Sequence, residues 1–440
     1  MTQNEKEAPA SAGHMRNAIL VGVLGVAVLL FFYSGRSNGG YGDLAPVYGS
    51  IRCVLTGKSP YVTENVRHEV VSHGADPAAY PPDYWQRYAM LYPPLTYLLL
   101  SPLGLLSFPA AGAVYFWLCG AMYAACYLMF VCWSPRETRL VTALGAACIL
   151  ASSGVLLRLG QVSTPVLALC AFGSLLLLRG RNRSGGFLLL LGACLKPQLV
   201  LPLLVFFCIR RQTRKTAAIA LGAFTMLSAV ALVILTWRLG SLTWVQEFNA
   251  QLHVDGTVGP VQRIDTGIVN LSALTTLINP SPAFYQTVDV LVFVGFAGIL
   301  CVGYFRAAPG EERDWIGLAG MSFFTLLLTY HRTYDMRLQI LALPALAMLW
   351  RRARVPAAAL TLAGALQLFS TAIVLEQWAT RRFGEGIAGR LFFRLLIERQ
   401  QAIFVLVTAI GWTWVLWAAG RRRTGGAVAA VHAERCSPGV

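Results

Sequence analysis

Residues 187–209 read FLLLLGACLKPQLVLPLLVFFCI, an apolar run of 23 residues that one Lys-Pro pair interrupts. A hydrocarbon core about 30 Å thick takes roughly 20 apolar residues in an α-helix, so the run is long enough to span a membrane. Both of its flanks are basic: Arg179, Arg181, Arg183, Arg210, Arg211, Arg214 and Lys215. Basic clusters stay on the cytoplasmic side. The run is therefore predicted to enter and leave the membrane on one side, turning at Lys196-Pro197.

The whole chain shares this apolar character. Of its 440 residues, 56% are hydrophobic and only 13% are charged, whereas a soluble domain carries roughly 25% charged residues. A water-soluble enzyme of this composition would expose larger apolar patches than a monomer tolerates. Apolar runs of about 20 residues recur along the chain. The composition predicts an all-α polytopic membrane protein and excludes a soluble one.

Ten full crossings are predicted, with both termini on the cytoplasmic side. They fall near residues 17–33, 110–132, 140–157, 162–178, 215–236, 286–305, 315–330, 336–350, 356–375 and 401–419. Residues 95–106 are too few to cross upright at about 1.5 Å per residue, so this segment and 187–209 are interpreted as broken or re-entrant helices. If both are true spans, there are twelve crossings and the positive-inside rule is broken once.

The predicted organisation is one polytopic domain over residues 17–420, between cytoplasmic tails over 1–16 and 421–440. The longest polar segment on the opposite face is the extracytoplasmic loop over 34–94. A loop of about sixty residues is uncommon unless it is functional or ordered by its own short helices. The turn at Gly160-Gln161 and residues 331–335 share this face. We expect a protein of the inner (plasma) membrane with an extracytoplasmic active site.

The charge and the cysteines exclude several partners. A net charge of +16 would point to nucleic acid in a soluble protein. Here the basic residues stand in short loops, where they orient membrane spans, so nucleic acid is not expected. Most of the 10 cysteines lie inside apolar runs, as small hydrophobes do. The sequence contains no CxxC pair or His/Cys cluster, and neither a metal nor another cofactor is predicted.

Asp43 is the candidate catalytic residue. It stands just past the first span, in Gly39-Gly40-Tyr41-Gly42-Asp43-Leu44, where glycines allow a close approach of the backbone to another group. A carboxylate at the neck of a membrane cavity is well placed to act as a general base. The competing interpretation is a helix N-cap, because helically spaced apolar residues follow Asp43. The two interpretations are compatible.

Lys196, His331 and Arg332 are candidate ligands for a donor phosphate. A lysine within an apolar stretch costs several kcal/mol unless it faces water or an anion. Arginine grips phosphate with paired donors, and His331-Arg332 lies at the outer end of a predicted span. The structural alternatives are that Lys196 extends to the membrane interface and that Arg332 pairs with Asp335 in a helical turn.

Three further places are weaker candidates. Gln161, in the outer turn, could hydrogen-bond a sugar hydroxyl or cap a helix, and Tyr92 precedes Pro93-Pro94 at a rigid junction of loop and helix. Both are candidate sugar-binding residues. Arg381 and Arg382 belong to an arginine-rich outer segment, which favours either an anionic lipid head group or an interfacial helix over 387–397.

The order of these features resembles glycosyltransferase family 87. It runs from an aspartate after the first span through Gly57-Lys58-Ser59-Pro60-Tyr61, Tyr92-Pro93-Pro94-Leu95, Gly160-Gln161 and Lys196-Pro197. The members are C-type, polyprenol-phosphate-sugar-dependent enzymes and include the mannosyltransferases of phosphatidylinositol mannoside assembly. The resemblance covers roughly residues 15–350, and the order and spacing of the motifs carry it.

The resemblance implies a C-type fold of many helices, with an active site on the extracytoplasmic face and a lipid-phosphate sugar donor. The catalytic aspartate of the family falls on Asp43, its outer-face histidine near the donor phosphate on His331, and its intramembrane lysine on Lys196. The acceptor would be a lipid or a glycan. The sequence around His331, through Asp335, departs from the commonest form in the family.

The sequence leaves two other classes of protein open. A transporter or flippase for lipid-linked sugars would also use broken helices and intramembrane basic residues. An O-antigen-ligase-like enzyme would also use a lipid phosphate, but its large loop is expected late in the chain. No inverted repeat is visible in the sequence, and a flippase does not need Asp43. A glycosyltransferase is therefore the favoured interpretation.

Overall fold

The computed structural model describes residues 10–36, 41–81, 84–85, 91–254, 268–279, 281–328, 331–369, 377–378, 380–382 and 393–435. Within them the regular structure is helical, as predicted. The helices are α1 (Ala10–Ser34), α2 (Leu44–Thr56), α3 (Thr63–Ser72), α4 (Pro94–Leu99), α5 (Phe108–Trp133), α6 (Arg139–Ala151), α7 (Gly154–Leu159), α8 (Ser163–Leu178), α9 (Asn182–Leu195), α10 (Pro197–Ile209), α11 (Arg214–Leu239), α12 (Thr243–Val254), α13 (Ser272–Ile278), α14 (Pro282–Arg306), α15 (Glu311–Leu328), α16 (Leu343–Arg352), α17 (Arg354–Phe369) and α18 (Gln400–Arg435).

Six described helical stretches are long and apolar enough to cross a membrane. They are 17–34, 108–133, 139–159, 214–239, 283–306 and 400–420. Shorter apolar helices cover Ser163–Leu178, Pro197–Ile209 and Arg354–Phe369. These lengths agree with an all-α polytopic membrane protein. The larger predicted number of crossings includes the shorter helices, and the side on which each terminus lies stays a prediction.

The break at Lys196-Pro197 is confirmed. Helix α9 ends at Leu195 and α10 begins at Pro197. The other ends of the two helices also lie close together, because the Asn182 side chain donates to the Gln212 carbonyl at 3.1 Å. The 14 residues of α9 rise about 21 Å, which is less than the hydrocarbon thickness. The pair therefore forms a re-entrant hairpin with Lys196 at its apex. The other short segment is broken too, into α4 and a 3₁₀ helix over Ser101–Leu105.

The basic clusters meet at one end of the molecule, called the basic end below. Their contacts are Arg179 with Glu311 (3.4 Å), Arg181 over the Trp133 ring (4.9 Å), Arg351 with Glu137 (3.0 Å) and Arg306 over the Trp417 ring (4.7 Å). The centre of this end is a buried ion pair, in which Arg210 Nε lies 2.7 Å from Asp314 Oδ2. The Tyr304 hydroxyl donates to the other Asp314 oxygen at 2.6 Å. Clusters far apart in sequence thus share one face, as the positive-inside rule requires.

Two predicted spans differ in detail from the structure. The stretch near 336–350 begins as a 3₁₀ helix over Thr333–Ala342 and becomes α-helical at Leu343. Pro344 has no N–H to donate to Ile340, which explains why the helix type changes there. The stretch near 140–157 is interrupted between α6 and α7, where the Ser152 carbonyl accepts a hydrogen bond from Arg337 at 2.9 Å.

The described part of the long loop over 34–94 contains its own helices. Helices α2 and α3 pack through Gly49, where an added Cβ would lie 2.6 Å from the Val66 carbonyl oxygen. Glu69 of α3 is buried and pairs with Lys58 at 2.7 Å. The interfacial helix predicted over 387–397 falls largely outside the described residues, and Arg394–Glu398 forms a π-helix. Arg381 and Arg382 are exposed.

The ion pair at the basic end predicts a stability effect. Asp314→Asn leaves the buried Arg210 guanidinium without a counter-charge, and we expect it to lower the free energy of unfolding by about 3 kcal/mol. Glu137→Gln removes an exposed partner of Arg351 and should cost less than about 1 kcal/mol. Thermal unfolding of both purified variants in one detergent measures the difference. Equal shifts would contradict a central role for Asp314.

Candidate active site

Asp43 lies at the start of α2, at the end of the molecule opposite the basic end. It occupies the N-cap position, but its side chain makes no capping hydrogen bond to the helix. Its backbone N–H donates to the Leu159 carbonyl at 2.7 Å, which joins the long loop to the end of α7. The carboxylate is half-buried. Asp43 therefore occupies the predicted N-cap position, but the capping hydrogen bond from its side chain is not formed.

The turn between α7 and α8 brings Gln161 to the same place. Gly160 has a φ of 71°, and an added Cβ there would lie 2.5 Å from Leu44 Cβ. Only glycine permits this conformation at this close approach. Gln161 is buried, its carbonyl accepts a hydrogen bond from the Tyr115 hydroxyl, and its side-chain Oε1 has no hydrogen-bond partner among the described residues. A buried amide oxygen without a partner suits a ligand hydroxyl.

Tyr92 reaches the site through the junction that the two prolines impose. Helix α4 begins at Pro94, as predicted. The Tyr92 carbonyl accepts a hydrogen bond from the Tyr61 hydroxyl at 3.1 Å. One turn later the Thr96 hydroxyl donates to the Leu195 carbonyl at 3.0 Å. The entry to α4 is thereby tied to the apex of the re-entrant hairpin.

Lys196 is the centre of a buried network. Its Nζ lies 2.7 Å and 2.9 Å from the two carboxylate oxygens of Asp335, and 2.8 Å from Ser163 Oγ. The Ser163 hydroxyl donates to Asp335 Oδ1 at 2.6 Å. All three N–H bonds of the ammonium group are thus directed at oxygens. Lys196 does not extend to the membrane interface, because its charge is neutralised inside the protein by Asp335.

His331 adjoins this network and is fully buried. Its Nδ1 lies 3.1 Å from Asp335 Oδ2. Burial lowers the pKa of His331 below its usual value, although Asp335 acts in the opposite direction. Burial alone would raise the pKa of Asp335, but Lys196 and His331 hold it well below its ordinary value. The result is an ionised carboxylate between a lysine ammonium and an imidazole.

Tyr334 connects the network to Asp43. Its ring lies 5.4 Å from Lys196 Nζ, measured to the ring centroid. The same tyrosine interacts electrostatically with Asp43, Arg332 and Tyr92. The backbone of Arg332 forms an antiparallel bridge with Ile268. The structure therefore brings Asp43, Gln161, Tyr92, Lys196, His331 and Arg332 to one site, and it places Arg381 and Arg382 on an exposed surface.

A protein-family comparison gives this site a chemical class. The model for glycosyltransferase family 87 matches residues 90–329, which is more than half of the chain. The chain belongs to glycosyltransferase family 87. The match includes Tyr92, Gln161 and Lys196 and ends two residues before His331. Comparison with curated proteins finds no match.

Family 87 membership establishes glycosyltransferase activity, and with it a sugar donor and an acceptor. In the described part of the chain, no group of three or more His, Cys, Asp and Glu side chains is arranged to hold a metal ion.

Three contributors to this family 87 site were not predicted from the sequence. They are Ser163, Tyr334 and Asp335 as the partner of Lys196. One feature of the sequence could have predicted the pairing of Asp335 with Lys196. A lysine deep in an apolar segment requires an anionic partner, and acidic residues beside predicted spans are few enough to test one by one.

The Lys196–Asp335 pair predicts a double-variant effect. Lys196→Met alone leaves a buried carboxylate uncompensated and should lower the free energy of unfolding by about 3–5 kcal/mol. Adding Asp335→Leu removes the unpaired charge and should recover most of that loss. Thermal unfolding of Lys196→Met and of the double variant Lys196→Met/Asp335→Leu tests this prediction. A double variant as unstable as Lys196→Met would show that the pair is not the source of the effect.

The lowered pKa of His331 predicts a pH dependence of stability. The unfolded chain, with a histidine pKa of about 6.5, binds the proton more tightly than the folded protein does. This contribution to stability is complete above about pH 6.5 and declines as the pH falls below it. His331→Asn should lack this decline when unfolding temperatures are compared between about pH 5 and pH 8. Parallel curves for the two proteins would refute the assignment.

Proposed function

We propose that this family 87 enzyme transfers a hexose from a polyprenyl-phosphate-linked donor to an extracytoplasmic glycolipid or polysaccharide, with inversion at the anomeric carbon. Mannose is the sugar to test first, because the resemblance in sequence includes mannosyltransferases. The observation that carries the proposal is the position of Asp43. Its carboxylate is not used to cap α2 and acts on the same tyrosine that borders the buried Lys196 network.

The chemistry follows from one carboxylate beside a cationic region. Asp43 takes the proton of the acceptor hydroxyl, whose oxygen forms a bond to the anomeric carbon. The bond from that carbon to the phosphate oxygen breaks, and polyprenyl phosphate leaves with the electron pair. A phosphate departs readily, so no general acid is required. A single direct displacement inverts the anomeric carbon, whereas retaining glycosidases use a second carboxylate as nucleophile.

Arg332 and His331 are the side chains proposed to bind the leaving phosphate. A guanidinium suits this task because it offers paired donors to phosphate oxygens. Lys196 was predicted for the same role, but its three N–H bonds point at Asp335 and Ser163. We assign it to holding Asp335 and, through Asp335, the His331 imidazole.

Gln161 and Tyr92 are proposed to bind the sugar. The unpaired Oε1 of Gln161 offers an acceptor for a sugar hydroxyl. Arg381 and Arg382, both exposed, are proposed to contact an anionic lipid head group. The polyprenyl chain of the donor stays in the bilayer, which is consistent with a site placed at the end of a helical membrane domain.

The central test is Asp43→Asn in a transfer assay with purified protein and radiolabelled polyprenyl-phosphate-mannose. A lipid extract supplies the acceptor. Loss of the base should lower the rate of transfer by about 10²–10⁴-fold while donor binding is retained. Asp76→Asn is the matched control in the same loop, because Asp76 is exposed and its side chain caps the 3₁₀ turn at Pro77–Ala79.

Transfer by Asp43→Asn at the rate of the parent would contradict the assignment of the base. The configuration of the product, read by NMR, tests inversion independently. Movement of the donor across liposomes without any transfer would favour a flippase instead.

A further inference from the structure

Asp289 is an ionisable residue that the proposed reaction does not use. It lies on α14 seven residues after Pro282, which places it about 10 Å along the helix from the start. Only 17% of the most apolar part of this helix is buried inside the protein, so most of it is available to face lipid. Asp289 borders an apolar groove formed by Phe293, Phe296 and Phe324, among others. A carboxylate at this depth is costly and marks a functional position.

The carboxylate of Asp289 binds two hydroxyl groups of α13. The Thr275 hydroxyl donates to Oδ1 at 3.0 Å, and the Ser272 hydroxyl donates to Oδ2. Each carboxylate oxygen thus receives one directional bond from a helix of only seven residues. Apolar packing alone would hold α13 without fixing its rotation, whereas two hydrogen bonds to one carboxylate also fix its orientation.

Residues 268–278, called the strap here, run from the active site to Asp289. At one end the Val269 N–H donates to the His331 carbonyl at 3.0 Å, and Ile268 forms its bridge with Arg332. In the middle the Leu271 N–H donates to the Leu327 carbonyl at 3.1 Å. The strap therefore holds the backbone that carries both proposed phosphate-binding side chains.

We propose that Asp289 is a positioning residue, which anchors the strap and thereby fixes His331 and Arg332 for the sugar-transfer reaction. The anchor itself rests on the contacts above, and its effect on catalysis rests on the proposed function. The geometry explains why a carboxylate stands in a lipid-facing helix, where an apolar residue would be less costly. A small displacement of phosphate-binding groups is enough to slow a transfer reaction about 10²-fold.

The anchor is tested first by amide hydrogen exchange, which does not require activity. Asp289→Ala should accelerate exchange of the Val269 and Leu271 amides by about tenfold or more, because the strap loses its hold on the bundle. Asp289→Asn keeps one carbonyl acceptor and should show a smaller effect. Thr287→Val is the control on the same helix and should leave exchange unchanged, since among the described residues its hydroxyl bonds only the Ala283 carbonyl, at 2.6 Å.

The effect on catalysis is measured with the same variants. Asp289→Ala should lower kcat/KM for the donor by about ten- to a hundredfold, with partial rescue by Asn. Thr275→Val removes one of the two bonds and replaces Asp289→Ala if that variant does not fold.

Unchanged exchange at Val269 would overturn the anchor. Faster exchange with unchanged kcat/KM would overturn the positioning role. If no protein transfers sugar, the proposed function fails while exchange still decides the anchor.

Discussion

The buried contact between Lys196 and Asp335 determines the arrangement of the site. An ammonium and a carboxylate are tolerated inside this fold only because each neutralises the other and Ser163 completes their hydrogen bonds. The contact joins the apex of the re-entrant hairpin to the 3₁₀ helix over Thr333–Ala342. Tyr334 belongs to that helix, His331 lies just before it and contacts Asp335, and Tyr334 interacts electrostatically with Asp43. Removing the charge of Lys196 or Asp335 would therefore disturb groups on the hairpin, at the start of α8, on the 3₁₀ helix and at the start of α2.

The opposite end of the molecule supplies the second constraint. The termini of the hairpin are fixed there by Arg210, Asp314 and the Asn182 contact. Because the hairpin is held at both its base and its apex, Lys196 sits at a set depth. The short helices α9 and α10 extend from the basic end to the active site and fix the distance between them. This explains why a helix break, usually a weak point, lies in a well-packed part of the protein.

Features that depend on local backbone chemistry were predictable from the sequence. The break before Pro197, the start of α4 at Pro94 and the turn at Gly160 all follow from a missing N–H or a positive φ. Contacts between residues that are distant in the sequence were not predictable in this way. Asp335 is 139 residues from Lys196, and the nearby Arg332 offered a simpler local explanation. Asp289 was overlooked because its hydroxyl partners stand on a different helix.

That separation of 139 residues also has a consequence for biogenesis. A ribosome adding about 5–20 residues per second needs roughly seven to thirty seconds to proceed from the lysine to its aspartate. Throughout this time the hairpin has been synthesised but its charge has no counterion. The hairpin therefore cannot settle at its final depth when it first leaves the translocon. It takes that place only after the segment that carries Asp335 has been made, so the native topology is not completed in the order of the chain.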